Sequence, residues 1–138
     1  MEAYTHTVQY YETDKMGIVH HSNYIRWMEE ARTDCLRQLG WPYEKLEEEG
    51  IASPVTALDC RYRAPARFAE RIRIEVTVAE FRGAVLKLRY VMTNGDGKTV
   101  CEGHSEHCFL DGNGRVMRLN REAPAFCERL KTWSETGA

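Results

Sequence analysis

The 138 residues contain no run of about 18 apolar residues, so no part of the chain is suited to cross a bilayer as a helix. The N-terminus also lacks the basic start and apolar stretch of an export signal. Cysteine is sparse and unpatterned. Cys35, Cys60, Cys101, Cys108 and Cys127 are odd in number, widely spaced and free of any CxxC pair, which argues against a disulfide framework or a zinc finger. Reduced thiols and a cytoplasmic location are expected. No charge excess is present either: 19 Lys and Arg stand against 21 Asp and Glu, so no global field recruits nucleic acid or an anionic membrane. Repeats, linkers and low-complexity segments are missing, and the length fits one domain over residues 1–138 with one continuous core.

What the chain does have is clear periodicity. Residues 4–12, "YTHTVQYYE", are aromatic and β-branched and predict a first strand. From Asn23 the spacing turns helical: Tyr24, Trp27, Met28, Ala31, Cys35 and Leu39 recur at three and four residues, and Gly40 supplies a stop. A stripe with such large aromatics should dock on a broad surface, such as the concave face of a sheet. Trp41-Pro42 opens a short acidic helix that Gly50 breaks.

Residues 51–119 then read as strands. In "RIRIEVTV" the apolar Ile72, Ile74, Val76 and Val78 alternate with Arg71, Arg73, Glu75 and Thr77, and Leu86, Leu88, Tyr90 and Met92 repeat the pattern. Arg82-Gly83, "NGDGK" and "DGNGR" mark turns. The expected order is a strand, a long helix, a short helix and a meander of four or five strands, with one short helix near the C-terminus. Such an antiparallel sheet should curl around the long helix, covering both apolar surfaces at once. Its edges invite pairing with a second copy.

The segment "YETDKMGIVHHSNY", residues 11–24, holds more reactive groups than a strand-to-helix connection needs. Periodicity places Asp14 and Gly17 in the turn and His20, His21 and Ser22 at the helix entrance. The first amides of a helix lack internal partners and carry partial positive charge, so they suit a carbonyl oxygen that becomes an oxyanion. A carboxylate beside them, ionised at neutral pH, can attack the carbonyl carbon or activate a water.

"YYETDKMGIVHHSNYIRWMEEAR" resembles the signature of hot-dog-fold acyl-CoA thioesterases of the 4-hydroxybenzoyl-CoA and Tol-Pal-associated type. The likeness extends through Glu29, Ala31, Arg32, Leu36 and Arg37, and through "YRAPARFAERIRI". It implies an α+β hot-dog fold, a curved antiparallel sheet of five or six strands around one central helix. It further implies hydrolysis of an acyl or aroyl thioester to free acid and coenzyme A, without metal or cofactor. By position, Asp14 matches the catalytic nucleophile or general base, and His21 the oxyanion-binding amide with an implicated side chain. Tyr10, Gly17 and Asn23 match substrate-site positions. Gly17 is expected to let the backbone approach the substrate closely. Glu12 stands where the family often has Asp, and Asn120 where it often has Pro.

Simpler roles compete for several of these residues. Ser22 and Asn23 are good helix caps, Tyr24, Trp27 and Met28 are core residues by spacing, and Glu29, Glu30, Arg32 and Arg37 suit helix-face ion pairs. Glu29 or Glu30 is the rival catalyst, since other hot-dog thioesterases carry their carboxylate on the long helix. His104 and His107 should point to opposite faces of a strand, and His20 and His21 should diverge, so neither pair favours a metal. A homodimer or a dimer of dimers is expected. The alternative function is a non-catalytic module that binds acyl-CoA or acyl-carrier protein. A third, enoyl-thioester hydration, would need a differently placed His-Asp pair.

Overall fold

The computed structural model describes residues 1–138. Its elements are β1 (Tyr4–Thr7), α1 (Ser22–Gln38), α2 (Tyr43–Glu48), β2 (Val55–Tyr62), β3 (Arg71–Phe81), β4 (Val85–Thr93), β5 (Thr99–Cys108), α3 (Leu119–Glu122) and α4 (Pro124–Thr136). The five strands form one antiparallel sheet in the order β1-β3-β4-β5-β2. This is the α+β arrangement expected of the hot-dog fold, with five strands.

Alternation decides which face of the sheet is covered. Ile72, Ile74 and Val76 of β3 are buried with Leu86, Leu88, Tyr90 and Met92 of β4, while Arg71, Arg73, Glu75 and Thr77 stay exposed. Onto the apolar face packs α1, whose predicted stripe is buried at every position from Tyr24 to Leu39. At roughly 25 cal/mol per Å² of apolar surface removed from water, such a stripe is the main reason the helix stays in place. The second helix on this core is α4: it packs on β3, and its Phe126 lies 5.1 Å from Trp41 and 5.8 Å from Phe109, ring to ring.

Four expectations need correction. The first strand ends at Thr7 instead of residue 12, because the Glu12 carboxylate accepts the Gln9 N–H and closes a 3-10 turn over Tyr10–Glu12. Only β3, β4 and β5 form a meander. Strand β2 crosses to the far edge and pairs with β5, so Cys60 faces Gly103. "DGNGR" does make a turn, but its flanks form only single bridges, Ala52 to Leu110 and Leu110 to Val116, and no further strand. The C-terminal region holds two helices, and α4 is longer than the short one expected, starting on Pro124 where a missing N–H costs nothing.

Strand β2 is the exposed edge. Val55, Leu58 and Tyr62 are large apolar side chains left in contact with solvent, and α1 runs alongside this edge in the opposite sense. Tyr24, near the start of α1, meets Tyr62 at the end of β2 at 5.4 Å, while Arg32, two turns on, reaches Ser53 just before β2 at 3.5 Å. A groove therefore runs between helix and edge strand. No helix is long and apolar enough to cross a membrane.

Candidate active site

The connection from β1 to α1 is held tightly by its own backbone. Asp14 N–H donates to Ile18 O at 2.9 Å, Gly17 N–H to Asp14 O at 2.9 Å, and Val19 N–H to Ala66 O at 2.8 Å. Gly17 has a φ of +77°, in the left-handed region that favours glycine, and an added Cβ would come no closer than 3.9 Å to another atom. Glycine is therefore required here by the turn itself.

Within this turn Asp14 is half-buried. Its Oδ1 accepts the Met16 N–H at 2.8 Å, and Oδ2 accepts no hydrogen bond. The side chain lines a cleft of about 420 Å³ together with Met16, Ile18, His21, Tyr24 and Tyr62. His21 occupies the position before the first residue of α1, and its N–H meets no acceptor within the chain. Asp14 and His21 thus line one cleft, and each keeps a group without a hydrogen-bond partner in the chain, a carboxylate oxygen and a helix-entrance amide.

Other parts fix that entrance. Tyr62 O–H donates to His21 O at 3.2 Å, bracing the first turn of α1 from the edge strand. Spacing alone did not identify this role, although Tyr62 lies in the second stretch that carries the family resemblance. Burial pushes the Tyr24 phenol up to about 12, so it remains protonated as part of the cleft wall. His20 Nδ1 and Ser22 Oγ are hydrogen-bonded at 2.8 Å, so Ser22 does not take the expected cap role, which falls by position to His21. The His20 and His21 rings, expected to diverge, lie 4.1 Å apart and tilted by 32°.

Asn23 and Tyr10, expected at the substrate site, are not among the residues that line this cleft. Asn23 is buried and its Nδ2 donates to Glu12 O at 2.9 Å and His20 O at 3.3 Å, so its polar groups tie the helix start to the 3-10 turn. Tyr10 is 76% exposed and sits edge-on to Phe68 at 5.7 Å, outside the cleft. The 3-10 turn explains this, because it turns Glu12 inward and leaves Tyr10 on the outer side.

Glu12 is the group that sequence reasoning undervalued. It is 4% exposed, and it accepts from Trp27 Nε1 at 2.7 Å, from Gln9 N–H at 2.8 Å and contacts His6 Nε2 at 2.8 Å. Burial alone would raise its carboxyl, but the hydrogen bonds from His6, Gln9 and Trp27 together outweigh burial and hold it below the ordinary value. Its backbone oxygen also receives the His20 N–H at 2.8 Å. The rival carboxylates are placed differently. Glu30 reaches His6 Nδ1 at 2.8 Å on the other flank of α1, and neither Glu29 nor Glu30 lines the Asp14 cleft.

On the outer sheet face beside the cleft, Arg61, Arg63 and Arg89 gather around Glu102. Arg63 approaches it to 2.6 Å and holds its carboxyl below the ordinary range. Arg63 lines both this cluster and the cleft. His104 points to this outer side, toward Asp59, whereas His107 is fully buried on the inner side, the opposed orientation that strand geometry predicts.

An antiparallel five-stranded sheet packed on one long helix is the arrangement of the hot-dog fold. The chain belongs to the thioesterase-like superfamily, whose profile matches residues 8–134. It is 30% identical over 95 residues to the acyl-CoA thioester hydrolase YbgC of Escherichia coli, covering 69% of this chain and 71% of that one. Among solved structures it resembles a DHNA-CoA thioesterase from Staphylococcus aureus, with a TM-score of 0.91 and 28% identity over 99% of this chain and 95% of that one. The gentisyl-coenzyme A thioesterase BH1999 is also similar, with a TM-score of 0.81 and 26% identity over 89% and 99% of the two chains.

Proposed function

We propose that the protein hydrolyses acyl-CoA thioesters with Asp14 as the catalytic carboxylate and the His21 N–H as oxyanion donor. The observation that carries this reading is that Asp14 and His21 line one cleft, and that Asp14 Oδ2 and the His21 amide have no hydrogen-bond partner within the chain. A thioester carbonyl bound there accepts from His21 N–H as its oxygen gains charge. Asp14 either attacks the carbonyl carbon or takes a proton from a water that does so. The C–S bond then breaks: in the first route this leaves an acyl-aspartyl anhydride that water hydrolyses to the free acid, restoring the Asp14 carboxylate and supplying the proton of the coenzyme A thiol, and in the second the water's oxygen ends in the free acid while the proton Asp14 took passes to the departing thiolate. Removing one oxyanion donor typically costs about 2.7–4 kcal/mol of transition-state stabilisation.

The coenzyme leaves the cleft past Arg63, where its phosphates meet the outer-face arginines. Guanidinium groups pair with phosphate in a planar, bidentate way. A second copy docks on the exposed edge of β2, where Val55, Leu58 and Tyr62 otherwise stay wet, giving a homodimer whose sheets join.

A thiol-release assay over acyl-CoA thioesters of increasing length, with aromatic members included, tests the reaction. Turnover of at least one class is expected. Binding of acyl-CoA without release of thiol would favour a non-catalytic module instead.

A further inference from the structure

The exposed large apolar side chains fall into two groups, with Val116 apart from both. Ile25, Val55, Leu58 and Tyr62 belong to the edge formed by α1 and β2, which the second copy covers. Tyr10, Tyr11, Met16 and Phe68 do not, and they stand out further into solvent, at 76%, 80%, 73% and 56% exposure. Hydrolysis in the cleft gives the three aromatic side chains of this second group no task.

The second group stands on one braced platform. The segment from Val8 to Val19 is tied to the loop of residues 66–70 by three backbone hydrogen bonds: Val8 N–H to Glu70 O at 2.9 Å, Ala69 N–H to Val8 O at 3.0 Å and Val19 N–H to Ala66 O at 2.8 Å. Across this seam Tyr10 meets Phe68 edge-on at 5.7 Å. Arg67 Nη1 reaches to 3.9 Å from the Cβ position of Gly17, the neighbour of Met16. Beside Phe68, Ala69 holds a φ of +70° and is the sole non-glycine residue in the left-handed region, a conformation that costs any residue with a Cβ.

The free charges around the platform are of one sign. Lys15 and Arg67 are exposed and enter no ion pair, and Arg71, equally free, follows at the start of β3 opposite Thr7. The carboxylates on the same two segments are committed elsewhere. Glu12 is buried among its donors, Asp14 lines the cleft, and Glu70 accepts the Arg67 backbone N–H at 3.0 Å.

Size and sign together decide what covers such a surface. Three aromatic side chains of about 150–250 Å² each, more than half exposed, offer roughly 300–500 Å², short of the ~800 Å² per partner of a stable protein interface. A second copy meeting this face through a two-fold axis would also set Lys15 and Arg67 against the same cations. A lipid bilayer has neither limit. Tyrosine favours the boundary between headgroups and acyl chains, where its ring is dry and its hydroxyl wet, and anionic headgroups attract Lys and Arg.

We infer that Tyr10, Tyr11, Met16 and Phe68, with Lys15 and Arg67 beside them, form a docking face for the surface of an anionic phospholipid bilayer. The contact is peripheral, since no helix is long and apolar enough to cross a membrane, and local, since the whole chain carries a net charge of −2. Met16 also lines the Asp14 cleft, so docking sets that cleft beside the bilayer surface. The docking does not depend on what reaction the cleft performs.

The test is co-flotation of the full-length protein with vesicles of phosphatidylcholine alone and of phosphatidylcholine mixed with phosphatidylglycerol. Two double variants, Tyr10→Ser with Phe68→Ser and Lys15→Gln with Arg67→Gln, are compared with the control Val116→Ser, each checked for folding by circular dichroism. The intact protein and the control should float with the phosphatidylglycerol vesicles, and either double variant should lower that partition roughly tenfold or more. No binding, equal binding to both kinds of vesicle, or binding that neither double variant lowers overturns the inference. A fall in the sedimentation mass of the Tyr10→Ser, Phe68→Ser protein without vesicles also overturns it, because a second copy would then be what covers the face.

Discussion

Glu12 and Asp14 stand two residues apart, yet one is closed in by Gln9, Trp27 and His6 while the other keeps an oxygen free over a cleft. The contrast separates two uses of a carboxylate. A buried charge supplied with several donors contributes to the uniqueness of the fold, and its protonation is hard to change. A charge left partly unsatisfied beside an open volume keeps its capacity to react. Here the first holds the 3-10 turn and the helix start, and so positions the second.

Substitutions at the two positions should separate activity from stability. Asp14→Asn is expected to lower kcat for thiol release about a thousandfold, roughly 4 kcal/mol, with an unchanged denaturation midpoint. A large loss of stability in that variant would erase the distinction. Glu12→Ala should do the reverse at first, costing about 3 kcal/mol or more in denaturant unfolding, because it leaves Trp27 Nε1 and the His6 ring buried without their partner. Activity should then fall only as the folded fraction falls.

The acid side of the stability profile sharpens the comparison from a third position. Because His107 is depressed to about 4 in the folded protein, the unfolded chain binds its proton first as pH falls from about 6.5. Stability is therefore full above about 6.5 and declines toward 4, by on the order of 3 kcal/mol from this group. Urea midpoints of the intact protein and His107→Phe across that range should diverge, with the flatter profile in the variant.

Smaller effects are expected in the turn and at the helix entrance. Gly17→Ala should cost about 1–2 kcal/mol through its positive φ alone, since no atom lies in the way of a Cβ. His21→Ala should lower kcat/KM less than about tenfold because the backbone N–H survives the change. A loss comparable to that of Asp14→Asn would assign chemistry to the imidazole.

Much of this organisation was legible in the sequence for identifiable reasons. The stripe from Tyr24 to Leu39 follows the helical period, and the alternation in β3 and β4 follows the pleat, so both are local signals. The partner of β2 was not legible, since register with β5 is a long-range choice that local pattern does not encode. Residues 10–12 misled because their strand propensity yields to one side-chain hydrogen bond, from Gln9 N–H to Glu12. That same turn accounts for the displacement of Tyr10 from the cleft. Asn23, whose type suits both a cap and a ligand contact, was resolved only by the Glu12 carbonyl it meets. Asp14 and His21 were singled out because a motif joined them. Tyr62, which braces the entrance from a strand about forty positions away, has no such local signal.

The most direct measurement is the amide proton shift of His21 when the protein, labelled with ¹⁵N, is saturated with a ketone analogue of its best thioester substrate, in which CH₂ replaces sulfur. A downfield shift of that amide, retained in Asp14→Asn, is the predicted result, since the N–H gains an acceptor it lacks in the free protein. An amide that stays in place in the saturated complex would contradict the oxyanion role and, with it, the shared use of the cleft.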